Sequence, residues 1–213
     1  EATLFRRASG RSMTSAELGG TMMASDGAMV SLPVEGRVDG AGNTVSGDIE
    51  VFVTPVDVAD DNERAGFPGQ FAGVQPDGER GLIASYGTVE YVFEQNGQEL
   101  QLAPGKSATV EIPIYTGGAE EGEQIALWSV DEETGLWVQE GLGTVVESSA
   151  SPTGLALRAE VTHFSWWNCD DFLDENPETG LCWELQCTTG QCVRVPVGCW
   201  TKGGRRSGAA RAS

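Results

Sequence analysis

The single histidine of this 213-residue chain, His163, stands two residues before Ser165 with Phe164 between them. In extended chain, side-chain direction repeats every second residue, so a base and a hydroxyl at this spacing share one face. A hydroxyl is a poor nucleophile until a base takes its proton. The chemistry such a pair could do is backbone self-scission: His163 accepts the Ser165 proton, Oγ attacks the Phe164 carbonyl, and water hydrolyses the resulting ester. The attack closes a five-membered ring that a planar amide resists, so scission needs a kinked or twisted chain and a donor for the developing oxyanion. A half-buried strand that merely packs His163 and Ser165 accounts for the same residues, and both readings stay open.

The element that must position them reads as one strand from Leu155 to Trp167. Leu155, Leu157, Ala159 and Val161 lie on one face, while Ala156, Arg158, Glu160 and Thr162 lie on the other. The apolar face continues into His163, Ser165 and Trp167, so the pair is expected to point toward the core unless a bulge intervenes.

Alternation of the same kind recurs along the chain. Val30, Leu32 and Val34 share a face, as do Ile49, Val51 and Val53, then Val89, Tyr91 and Phe93, then Ala108, Val110, Ile112 and Ile114. Asn96-Gly97 is a type I′ hairpin signal, and Asp131 to Gly135 reads as a hairpin loop between arms carrying Trp128 and Trp137. Those tryptophans are a candidate stacking platform for a glycan, or a cross-strand packing pair. No segment has helical periodicity, so the expected fold is all-β: an antiparallel β-sandwich over residues 26–168, preceded by a linker over 1–25. Residues 57–81 read as the longest loop. Their acidic cluster, Asp57, Asp60, Asp61 and Glu63, is a weak calcium candidate because it lacks the ordered spacing of a calcium loop, and a solvated loop accounts for it better.

The chain carries 32 Asp+Glu against 13 Lys+Arg, for a net charge of −19. The basic residues gather at the two ends, which leaves an acidic interior that repels phosphate backbones, so nucleic acid is not an expected partner. No apolar run approaches the roughly 20 residues of a spanning helix. Glu1 opens the chain without a signal-like run, which reads as a mature or excised piece. Cys169, Cys182, Cys187, Cys192 and Cys199 crowd into the last quarter. Such crowding reads as a disulfide framework and an oxidising location, with one thiol left over because five is odd. Zinc is the competing use, but the spacings lack any C-x2-C pair. Residues 169–202 are therefore expected as a small disulfide-rich hairpin turning at Thr189-Gly190, followed by a disordered basic tail over 203–213.

The run Val161-Thr162-His163-Phe164-Ser165-Trp166 resembles the His-Phe-Ser autoprocessing site of the β-sandwich domains shared by zonula occludens proteins, netrin receptors, ankyrins and the p53-induced death-domain protein. Met29 to Pro33, Gly47 to Val51 and Leu100 to Pro113 look like the same sandwich pattern. Trp128, the segment Asp131 to Trp137 and the run Thr162 to Cys169 are similar to bacterial cell-surface modules. The likeness covers roughly residues 28 to 169 and implies scission between Phe164 and Ser165 in the members that cleave. Two functions follow as expectations. One is a non-catalytic structural or adhesive module of a bacterial surface or secreted protein, whose partners are other domains of that protein or an extracellular protein or glycan. The other is a self-cleaving domain with His163, Phe164 and Ser165 as its site. A single His, no acidic dyad and no metal-ligand spacing give little support to an enzyme acting in trans, and no motif names a cofactor.

Overall fold

The computed structural model describes residues 11–69, 71–173, 181–188 and 191–198. The chain divides into two compact units between Phe172 and Leu173. The first is all-β, as its alternating pattern requires, and its strands run β1 Arg11–Ser15, β2 Gly20–Met23, β3 Met29–Leu32, β4 Arg37–Val38, β5 Asp48–Val56 and β6 Ala72–Val74. There follow β7 Arg80–Gln95, β8 Gln98–Glu99, β9 Gln101–Leu102, β10 Ala108–Pro113, β11 Gln124–Asp131, β12 Leu136–Glu147, β13 Leu155–Val161 and β14 Trp166–Leu173. A one-turn helix, α1 Asp61–Arg64, interrupts them.

The large sheet follows the order β1-β5-β7-β14-β11-β12-β13-β10-β3-β2, with β6 bridging β7 and β12 and β8 continuing from β7. Its pairings are antiparallel apart from β6 with β12. The two ends of this path, β1 and β2, are neighbours in sequence, joined by residues 16–19. The five steps from Ser15 to Gly20 reach about 18 Å at most, so the sheet folds back until its ends come close, which gives a sandwich-like fold. Val30, Ile49, Val89, Phe93, Val110, Ile112, Leu127 and Leu157 fill the interior thus enclosed. The Tyr91 hydroxyl on β7 crosses it, lying 3.0 Å from the Glu111 carbonyl on β10 and 3.2 Å from that of Met29 on β3.

Several expected boundaries move. The expected linker over 1–25 contains β1 and β2, because an edge strand is held by main-chain bonds to one neighbour and needs little apolar alternation of its own. Residues 1–10 lie outside the described residues. The 57–81 loop holds α1 and β6, and β7 starts at Arg80. Gly73 on β6 explains how that short strand fits: a Cβ there would stand 2.8 Å from Ile83 and from the Trp128 ring. The hairpin signals hold. Asn96 and Gly97 both take positive φ, 53° and 78°, as a type I′ turn requires, and Gly135 does so at 69° in the β11–β12 turn.

The second unit contains β15 Leu181–Thr188 and β16 Gln191–Gly198, an antiparallel pair in which Cys187 faces Cys192 in register and Cys182 faces Val197. Cys199 and the tail over 203–213 lie outside the described residues. Cys169 belongs to the first unit: it sits on β14 with no exposed surface and no disulfide, and its thiol meets the Gly87 carbonyl at 3.3 Å. It therefore leaves the set of disulfide candidates, since the strand that carries it runs through the core.

Candidate functional site

The strand read from Leu155 to Trp167 is two strands with a bend between them. Through β13 the apolar face is buried as expected, with Leu157, Ala159 and Val161 inside and Arg158 and Glu160 exposed. The ladder then ends at Val161, the chain bends through residues 162–165, and β14 begins at Trp166. The reason lies in the sheet order: β13 pairs β12 and β10, whereas β14 pairs β11, so the chain must leave one neighbour to reach another. The bend breaks the alternation. Phe164 is the residue that turns inward, stacked on Phe93 with ring centroids 3.8 Å apart, while His163 and Ser165 are half-buried.

His163 Nε2 lies 2.9 Å from Glu140 Oε1, and its ring leans on Trp167 at 4.8 Å between centroids. Glu140 owes its position to a β-bulge. Leu127 faces Gly141 and Trp128 faces Gln139, so Glu140 on β12 has no opposite residue on β11. An unpaired extra residue re-aims its side chain, and here one carboxylate oxygen takes both the Ser129 hydroxyl and the imidazole. The bond to Glu140 raises the His163 pKa above its ordinary value against the opposing effect of burial, and contact with the Phe164 backbone adds to the rise. The same bond lowers Glu140, with Ser129 contributing.

The Phe164 peptide is gripped from β9. Its N–H donates to Gln101 Oε1 at 2.7 Å, and its carbonyl accepts from Gln101 Nε2 at 3.0 Å. One primary amide thus serves as a strand-like partner where the ladder is interrupted. A cleft of about 60 Å³ has Phe164 and Ser165 in its lining, together with Tyr91, Phe93 and Gln101 and the acidic Glu90, Glu99 and Glu132. Such a space admits water. The arrangement therefore supplies the bend and a donor at the Phe164 carbonyl, beside a cleft that Phe164 and Ser165 help to line. The imidazole it holds is bonded to Glu140.

Glu140, Ser129 and Gln101 were not legible as site residues. Only the bulge and the sheet order bring them to the tripeptide, and no local pattern marks either. The remaining candidates lie elsewhere. The Asp60 carboxylate caps α1 through the Asn62 N–H at 2.7 Å, Asp57 accepts from the Ala59 N–H at 2.7 Å, Glu63 accepts from the Asp57 N–H at 2.8 Å, and Asp61 pairs with Arg64. Among the described residues, no three His, Cys, Asp or Glu side chains gather as a metal site. Trp128 and Trp137 have no exposed surface. With Phe67, Ile83 and Tyr115 they form a second core, so they present no stacking platform.

No family model matches this chain, and no solved structure matches it. It is similar to the human protein named cartilage intermediate layer protein 2, with 33% identity over 113 residues. That match covers 52% of this chain and 10% of the human protein, so the chain spans about a tenth of the curated relative's length.

Proposed function

We propose that this chain is a non-catalytic structural or adhesive β-sandwich module of a surface or secreted bacterial protein, working through contacts with neighbouring domains or an extracellular protein or glycan. The observation that carries the reading is that each group around the His-Phe-Ser run fastens the β13–β14 crossover: His163 to Glu140 on β12, Phe164 to the Phe93 ring, and the Phe164 peptide to Gln101. The strongly acidic composition and the crowded cysteines of the second unit favour an oxidising exterior. Similarity to a protein named for a layer of cartilage points the same way. The test is labelling of intact source cells with a membrane-impermeant amine reagent. Labelling without lysis supports the reading, and labelling that requires lysis overturns it.

A second reading rests on the grip at the Phe164 carbonyl, which places an N–H donor 3.0 Å from the oxygen that would become an oxyanion. In that reading Glu140 holds the His163 ring through Nε2, the other ring nitrogen takes the Ser165 proton, and Oγ attacks the Phe164 carbon. The imidazole hands that proton to the Ser165 nitrogen as the Phe164 C–Ser165 N bond breaks, leaving an ester and a free amine, and water from the cleft hydrolyses the ester. Intact mass under denaturing, reducing conditions decides it. Two fragments divided between Phe164 and Ser165 in the parent, and one full-length mass in Ser165→Ala, would establish scission. A single mass in both leaves the tripeptide as a structural fastening.

A further inference from the structure

We propose that Cys187 and Cys192 form a disulfide across the β15–β16 hairpin. The inference rests on the extracellular reading above for the oxidant, and on the register for the choice of partners. Directly opposed residues of an antiparallel pair have Cα atoms about 4.5 to 5.5 Å apart and lie on one face of the ladder. A disulfide spans Cα separations of about 4.4 to 6.8 Å. Cys187 and Cys192 occupy such directly opposed positions, one pair in from Thr188 and Gln191. Cys182 does not compete on the same terms, because the residue opposite it is Val197.

The first unit accounts for the odd thiol. Cys169 is fully enclosed between β7 and β11, and burial, with the neighbouring Asp170 carboxyl, pushes its thiol well above the ordinary range. Thiol exchange proceeds through the thiolate, so Cys169 stays reduced and the second unit keeps an even set of four. A crosslink beside the turn also supplies what an isolated two-stranded hairpin lacks, since such a pair is marginal in water. It fixes the register, because a slip of one residue would carry the two cysteines to opposite faces.

The reaction balances with a disulfide oxidant. The Cys187 and Cys192 thiols lose two protons and two electrons in forming one S–S bond, and oxidised glutathione accepts them to become two reduced glutathiones.

The test uses the full chain, taken once from source cells and once after equilibration in a glutathione redox buffer. Free thiols are blocked with N-ethylmaleimide, and the protein is digested unreduced with trypsin and a glutamate-specific protease. Cleavage after Glu184 and Arg194 isolates the peptide 185–194, whose cysteines are Cys187 and Cys192 alone. The expected peptide is two hydrogens lighter than its dithiol form and carries no maleimide. The Cys182→Ser variant should yield the same mass. A doubly maleimide-labelled peptide in both samples, or one linked to a peptide bearing Cys182 or Cys199, overturns the pairing. Closure in the glutathione buffer together with free thiols in the cellular sample supports the pairing and overturns the extracellular reading instead.

Discussion

Asp170 is a buried carboxyl that is costly to keep charged. It has no exposed surface, one carboxyl oxygen accepts from Asn168 Nδ2 at 2.6 Å, and the other has no hydrogen-bond partner. Burial raises its pKa well above the ordinary carboxylate value. An unfolded Asp releases its proton near pH 4, whereas the folded one retains it, so this residue removes stability as pH rises above about 4. Asp170→Asn should therefore raise the melting temperature at pH 8, by the equivalent of about 1 to 2 kcal/mol, and much less at pH 4. Equal melts of the variant and parent at both values would refute this. The His163–Glu140 pair has its own window. The raised His163 pKa contributes stability that is complete below about pH 6.5 and is lost as pH rises through the folded value. The lowered Glu140 pKa contributes above about pH 4.3 and is lost as pH falls through its folded value. The pair is thus worth most near pH 5 to 6. Its side chains are 39% and 33% exposed, so Glu140→Gln should cost less than about 1 kcal/mol there. The difference should shrink at pH 8, as read from denaturation at each pH.

Among the elements, β7 depends most on a missing side chain. An ideal Cβ on Gly87 would stand 2.1 Å from the Pro113 carbonyl oxygen at the end of β10, where the Tyr115 N–H donates to the Tyr86 carbonyl at 2.8 Å. Backbone meets backbone here, so neither side can yield by changing rotamer. Gly87→Ala should cost about 3 kcal/mol or leave the chain unfolded. Gly141→Ala, beside the Glu140 bulge with no atom within 4 Å of the new Cβ, should stay within about 0.5 kcal/mol. Urea denaturation of both variants checks the pair, and a Gly87→Ala protein as stable as Gly141→Ala would show that the close approach relaxes freely. The element boundaries that sequence reading missed have the same origin. The run from Leu155 to Trp167 reads as one strand, with its outer face polar from Arg158 to Thr162 and apolar at Phe164, but it splits because its halves bind different neighbours. The strands β1 and β2 escape notice because backbone pairing, rather than apolar patterning, holds an edge.

At the scale of the first unit, the fold-back of one long sheet sets the interior, and Tyr91 ties its two sides together. Tyr91→Phe keeps the ring and removes the hydroxyl shared between Glu111 and Met29. It should cost the first unit about 1 to 2 kcal/mol while that unit still unfolds in a single transition. A variant that melts in two steps would mean that the sides are stable apart. By itself the sequence determined the all-β class, the inward faces of β3, β5, β7, β10 and β13, and the turns at Asn96-Gly97 and Gly135, because a period of two and a positive φ are written in neighbouring residues. Tertiary structure alone decided the partner of His163, which is 23 residues away, and the grip of Gln101 on Phe164, which spans 63. It also decided that Cys169 lies in the core and that Trp128 and Trp137 face no solvent. These outcomes follow from the order in which strands pair and from one bulged residue. Strand order is set by the summed burial of distant segments, which no short window of sequence contains.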